Sequence, residues 1–194
     1  MGKIYCIMGK SSTGKDTIYK RVLECCEGRF GTICPYTTRP IRDGEQEGVE
    51  YHFVSREAFE ALSEAGKVIE SRTYNTVYGE WTYFTADDGQ IEPDGKDYLL
   101  IMTLEGYRSL ASYFGKERVV PVYIEVEDGL RLERAVKRER QQRTPKYAEL
   151  CRRFLADAAD FSEEKLQEIE GLIRIGNYDL DECVESVLQV LREN

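Results

Sequence analysis

The chain has 194 residues, 41% hydrophobic and 32% charged, with a net charge of −9 and a pI near 4.9. That length and balance fit one soluble globular domain with its own core and exclude a disordered chain. The acidic balance argues against a nucleic-acid-binding surface, and no apolar run approaches the ~20 residues of a membrane span.

In chain order, KIYCIMG (3–9) reads as a short apolar strand that runs into a glycine loop. DTIYKRVLECC (16–26) follows with helical spacing at Ile18, Val22 and Leu23. GTICPYTTRP (31–40) and YHFVS (51–55) read as strands, and SREAFEALSEAG (55–66) as a helix with Ser55 as its N-cap. GKVIESRTY, YGEWTYFT and DYLLIMT are further strands, LEGYRSLASYFG (104–115) is a helix, and VVPVYIEV (119–126) is a buried strand. Residues 128–170 are charged with helical spacing, before a last strand, LIRIGN, and a closing amphipathic helix, LDECVESVLQVLRE. Apolar strands alternating with helices predict an α/β fold with a parallel sheet. The polar strands between residues 48 and 88 do not fit inside that sheet and predict a small appended subdomain.

The six cysteines (Cys6, Cys25, Cys26, Cys34, Cys151, Cys183) contain no C-x-x-C, and His52 is the only histidine. No metal-ligand pattern arises, and reduced thiols are expected. The start MGKIYCIMGK has neither the apolar length nor the cleavage site of a signal peptide, so a cytoplasmic location is expected.

The chemistry starts at GKSSTGKDT (9–17). Gly9 and Gly14 let the backbone curl so that successive N–H groups point inward at a phosphate. Lys15 adds a point charge for β/γ oxygens, and the following helix adds its positive end. A strand–loop–helix context makes the P-loop pattern credible. Its last position holds Asp16 in place of Ser or Thr, with Thr17 one residue late. Asp16 is either a Mg²⁺ contact, direct or through water, or a helix-terminal acid favoured by the macrodipole. TTRPIRDGEQEGVEYHF (37–53) places Arg39 and Arg42 near Glu45 and Tyr51. Arginine forks match phosphate oxygens two at a time, and a carboxylate accepts guanine N1–H and N2–H₂.

Together, GKSSTGK, TTRPIRDGE, GVEYHFVS, IESRTYNTVYGE and the late segment RAVKRERQQRTPKYAELCRRFLADAADF resemble guanylate kinase across nearly the whole chain. The resemblance implies one domain over 1–194: a core at about 1–34, 96–127 and 171–194, a GMP-binding subdomain at about 35–95, and a helical lid at about 137–152. It implies MgATP on Gly9, Ser11–Thr17 and Asn177, the last near the adenine. It implies the GMP phosphate on Arg39, Arg42, Tyr51 and Tyr78, with Glu45 and Glu70 around the guanine. Lid arginines Arg138, Arg140 or Arg143, and Arg153 beyond them, would close on the phosphates, giving Lys15, Arg39, Arg138 and Arg153 as the catalytic set. ATP and GMP would be the partners, with no nucleic acid or membrane, and a homodimer is left open. The chain departs from the family at Pro35, Glu80, Ile101 and Thr103, where base-binding residues would stand. Two other readings remain. Ribose 1,5-bisphosphate kinase also resembles guanylate kinase and carries Gly-Lys-Asp in its loop. A guanylate-kinase-like module without catalysis would bind phosphorylated protein partners, although such modules usually have degraded phosphate loops.

Overall fold

All five residues of strand β1 (Ile4–Met8) are buried, which requires neighbours on both edges and cover on both faces. The computed structural model describes residues 2–42, 44–76, 79–92 and 95–193. After β1 come α1 (Lys15–Cys25), β2 (Tyr36–Thr37), β3 (His52–Phe53), α2 (Arg56–Glu64), β4 (Val68–Thr76), β5 (Gly79–Ala86) and β6 (Tyr98–Ile101). The chain continues through α3 (Leu104–Phe114), β7 (Val119–Glu125), α4 (Asp128–Arg140), α5 (Tyr147–Asp160), α6 (Glu163–Gln167), β8 (Ile173–Gly176) and α7 (Leu180–Glu193).

The first sheet has the order β6-β1-β7-β8, and every pairing in it is parallel. Side chains alternate across a strand, so β1 feeds two cores. Ile4, Cys6 and Met8 pack with Tyr107 and Leu110 of α3 and with Phe161 and Leu166. Tyr5 and Ile7 pack on the other face with Ile18 and Val22 of α1 and with Val187 and Leu191 of α7. Each fully buried aliphatic side chain contributes roughly 1.5–3 kcal/mol, so these two layers supply most of the driving force. The six cysteines are free thiols. Burial raises the Cys6 thiol to about 12 and that of Cys183 to about 11, as expected of core positions.

The second sheet has the order β3-β2-β5-β4 and mixed direction. Its aromatic layer includes Tyr36 stacked on Phe84 at 5.0 Å and Phe59 of α2 at 4.8 Å from the same ring. Ser55 caps α2 as its sequence position predicts, accepting from the Ala58 N–H. The strand expected over 31–40 is cut to Tyr36–Thr37. Gly31 still bridges Tyr98 at the edge of the first sheet, and the chain then crosses to the second, where β2 lies between Pro35 and Pro40. Neither proline can donate to a ladder, and each restricts the residue before it. Residues 137–152 comprise the end of α4, the turn after it and the start of α5. Among the described residues, no helix is long and apolar enough to cross a membrane.

In a parallel sheet the loops at the carboxyl ends of the strands share one rim. Residues 9–14 after β1, Thr103 after β6, Glu127 after β7 and Asn177 after β8 meet there.

Candidate active site

The loop after β1 is built from close approaches. A Cβ on Gly9 would lie 2.8 Å from the Ile124 carbonyl oxygen, and one on Gly14 would lie 2.5 Å from Asn177 Nδ2. Gly14 stands in the left-handed region at φ +88 and starts α1 without a side-chain cap. Ser12 is also left-handed at φ +66. The first intrahelical bond runs from Ile18 N–H to the Gly14 carbonyl, 3.0 Å. The amides of Lys15, Asp16 and Thr17 therefore precede the helical ladder, where an anion would be stabilised by them and by the macrodipole. Thr13 is buried: its hydroxyl donates to the Lys10 carbonyl at 2.9 Å, and its own carbonyl accepts from Asn177 Nδ2 at 2.7 Å.

Cations gather at the mouth of this loop. Lys15 Nζ is 3.6 Å from Asp16 Oδ2. Arg138 Nη2 donates to Ser12 Oγ at 3.2 Å, and Arg153 Nη2 donates to Ser11 Oγ at 3.3 Å. Two arginines from different helices thus reach adjacent loop hydroxyls. Arg140 and Arg143, the other candidates in that segment, are exposed. Asp16 and Thr17 also face solvent.

Asn177, which the resemblance sets near the adenine, stands under the phosphate loop. Its carboxamide is 4% exposed and lies under the loop, bonded to Thr13. The cause is local: β8 ends beside β7, the Asn177 N–H donates to the Glu125 carbonyl, and the side chain turns into the space that Gly14 leaves open.

Sequence reasoning passed over Arg131, Asp128 and Asp157. Arg131 is 1% exposed and donates to the Ser11 carbonyl at 2.9 Å. It also donates to Asp128 Oδ1 through Nη2 at 2.8 Å and Nε at 3.0 Å. Asp157 Oδ2 accepts the Ser11 N–H at 2.8 Å. Burial alone would raise the Asp128 carboxyl, but the bonds and charges of Arg131 and Lys10 outweigh it and hold the group below the usual carboxylate range. The available signal was the i,i+3 pair Asp128–Arg131 on a helix with few apolar residues.

The second sheet holds the other expected cluster. Arg39 is 3% exposed, with Tyr51 and Phe53 rings 5.1 and 5.2 Å from its guanidinium carbon. Its fork meets Glu45 at 2.7 and 2.5 Å. Glu45 also accepts the Arg42 N–H at 2.8 Å, and Arg39 with that amide lowers its carboxyl to about 2. Both Glu45 oxygens are engaged within the protein, because a buried guanidinium requires a counter-charge. Among the described residues, Arg39 Nε is the one buried side-chain polar atom without a hydrogen-bond partner. Arg42 lies exposed, 6.0 Å from the Trp81 ring. Glu70 accepts from Thr85 Oγ1 at 2.9 Å and stands 3.7 Å from Arg72. Arg72 Nη2 would be 3.3 Å from a Cβ on Gly106, so this sheet leans on the first turn of α3 at the rim. Tyr78 lies outside the described residues.

Three of the departing positions have structural partners. Thr103 caps α3 by accepting the Gly106 N–H, Glu80 pairs with Arg56 at 2.7 Å, and the Pro35 carbonyl accepts the His52 N–H. The whole arrangement gathers arginine and lysine side chains in two regions, one at the rim of the parallel sheet and one on the mixed sheet. Such a site suits transfer of a charged group by positioned charge.

A family model described as "Guanylate kinase" matches residues 1–194. Protein PALS1 of Danio rerio is 30% identical over 191 residues, which is 96% of this chain and 26% of that protein. The chain thus spans about a quarter of PALS1. The guanylate kinase of Sus scrofa is 30% identical over 188 residues, covering 96% of this chain and 90% of the relative. Among solved structures, guanylate kinase from Anaplasma phagocytophilum shares the fold, with a TM-score of 0.63 at 23% identity over 99% of this chain and 85% of that one.

Proposed function

The chain belongs to the guanylate kinase family, and on that premise we propose that it transfers the γ-phosphoryl group of MgATP to GMP, giving ADP and GDP. The observation that carries this reading is the convergence of Lys15, Arg138 and Arg153 on an intact phosphate loop. A GMP phosphate oxygen attacks the γ-phosphorus while the bond to the β-bridging oxygen breaks and ADP leaves. The transferring group carries spread negative charge, so positioned cations do most of the work. Lys15 and the α1 amides hold the β/γ end, and Arg138 and Arg153 neutralise the charge that builds there. On the acceptor side, Arg42, Tyr51 and the unpaired Nε–H of Arg39 grip the GMP phosphate. Glu70 takes the guanine N–H groups, since Glu45 serves Arg39.

Mg²⁺ enters as part of the substrate MgATP. The exposed Asp16 carboxylate beside Lys15, with the Thr17 hydroxyl next in sequence, offers the hard oxygen donors such an ion prefers.

A sugar bisphosphate acceptor is the second reading. It is favoured by the cation of Arg72 beside Glu70, and by Ile101 and Thr103 where carboxylates would read a base. A coupled ADP-release assay with MgATP against GMP, dGMP, AMP, UMP and ribose 1,5-bisphosphate separates the readings. GMP is expected to lead in kcat/KM by ~10-fold or more, about 1.4 kcal/mol of discrimination. A lead for ribose 1,5-bisphosphate would establish the second reading, and no ADP release with any acceptor would indicate a binding module.

A further inference from the structure

We propose that Arg131 and Asp157 are positioning residues that tie the phosphate loop to α4 and α5, so that the loop and its two arginines are set as one unit. The inference rests on the reading that this loop binds nucleotide phosphates. Both backbone groups of Ser11 are held from outside the loop: its N–H by Asp157 of α5, its carbonyl by Arg131 of α4. Lys10 is held too, with Nζ 3.3 Å from Asp128. Arg131 closes the network, lying 3.5 Å from Asp157 and 4.6 Å from the Phe154 ring.

The helical register gives this tie its consequence. Arg138 lies about two turns beyond Arg131, on the same face of α4. Arg153 lies about one turn before Asp157, on the same face of α5. The faces that grip the Ser11 backbone therefore also present arginines to the Ser11 and Ser12 hydroxyls. If Ser11 is released, both the loop and the placement of Arg153 are lost together.

A purely structural role would leave a different mark. A cluster of two cations and two carboxylates is a weak source of stability compared with apolar packing, but it fixes geometry well. The Ser11 N–H points at a carboxylate, so this amide does not face a phosphate, and Arg131 shields the phosphates from the Asp157 charge.

The test is a double-mutant cycle on nucleotide affinity, read by calorimetric titration of MgADP with no acceptor present. Arg153→Ala is expected to raise the Kd by ~10-fold in the parent and by less than ~3-fold in an Asp157→Ala background. Asp157→Ala alone is expected to raise it by ~10-fold, and the isosteric Asp157→Asn by less, since a neutral acceptor for the Ser11 N–H remains. Asp157→Asn also serves if the alanine variant does not fold, with the Arg153→Ala factor again expected to shrink in its background. Equal Arg153→Ala factors in both backgrounds, with a lowered melting temperature alone, would overturn the tie. A parent that binds MgADP with variants of unchanged Kd would overturn the tie and leave the kinase reading standing. A parent that binds no MgADP would overturn both.

Discussion

Gly14→Ala perturbs the loop at its tightest point. At φ +88 an alanine is strained by roughly 1–2 kcal/mol. Its Cβ would lie 2.5 Å from Asn177 Nδ2, so the buried carboxamide must move. That breaks the 2.7 Å bond to the Thr13 carbonyl, which costs about 1–3 kcal/mol once the carbonyl is left unpaired. The total is about 2–5 kcal/mol, or roughly 5–15 °C in melting temperature for a chain of this size. Asn177→Ala loses the bond but clears the space, at about 1–3 kcal/mol. The double variant loses that bond only once, so it should be about as stable as Gly14→Ala and less destabilised than the sum of the singles by about 1–3 kcal/mol. Urea unfolding followed by circular dichroism, at a constant m-value, measures all three. Costs that add to within ~0.5 kcal/mol would show that the Asn177 side chain does not fill the space beside Gly14.

Lys15→Ala should lower turnover by ~10²-fold or more while leaving the fold intact, because among the described residues its amine pairs with an exposed carboxylate alone; near-parental kcat would refute the loop's role. Arg42→Ala should raise the acceptor KM with little change in the MgATP KM or the melting temperature, whereas Arg39→Ala should raise the same KM and also lower the melting temperature. Equal effects on both substrates would show that these arginines do not grip the acceptor. Arg39 holds the Glu45 carboxyl at about 2 against an ordinary 4.5, so the pair's contribution to stability is complete above pH 4.5 and is lost as pH falls towards about 2. Glu45→Gln should flatten that acid limb, and an unchanged limb in a pH series of unfolding would count against the pairing. Asp16→Ala should move the Mg²⁺ midpoint of activity to higher concentration at fixed ATP, with Asp16→Ser retaining much of the activity. An unmoved midpoint would leave Asp16 as a helix-terminal acid worth about 0.3–1 kcal/mol.

The parts of the site that were legible in the sequence are those made by neighbours in the chain. GKSSTGK specifies its own curl, and the apolar strands IYCIM and VVPVYIEV announce a parallel sheet because both faces are covered. Arg131 was not legible because an arginine among GLRLERAVKRER reads as a solvated helix face. Its burial comes from Asp157 and the Ser11 carbonyl, which only tertiary packing brings near. Asn177 was placed on the nucleotide by resemblance, yet its surroundings depend on the space at Gly14, far away in sequence. Glu45 was read as a base contact because nothing in the sequence says that Arg39 is buried and needs a partner. The short β2 was hidden because GTICPYTTRP reads as one continuous strand, and its prolines only matter once the crossing between sheets is known.

The central position of β1 bears on how the protein acquires its site. This strand precedes both of its partners in the chain, pairing with residues near Tyr98 on one edge and Val119 on the other. Such separations make it a high-contact-order element, with loop closure to complete before any pairing gain. On the ribosome, the apolar IYCIM segment has no strand on either edge until β6 has emerged and none on the second until β7 has, so it needs shielding during synthesis. The phosphate loop, which hangs from this strand and is fastened by residues 131, 157 and 177, takes its shape only when nearly the whole chain is present. A nascent or truncated chain therefore has no partial nucleotide site, and binding competence arrives in one late step.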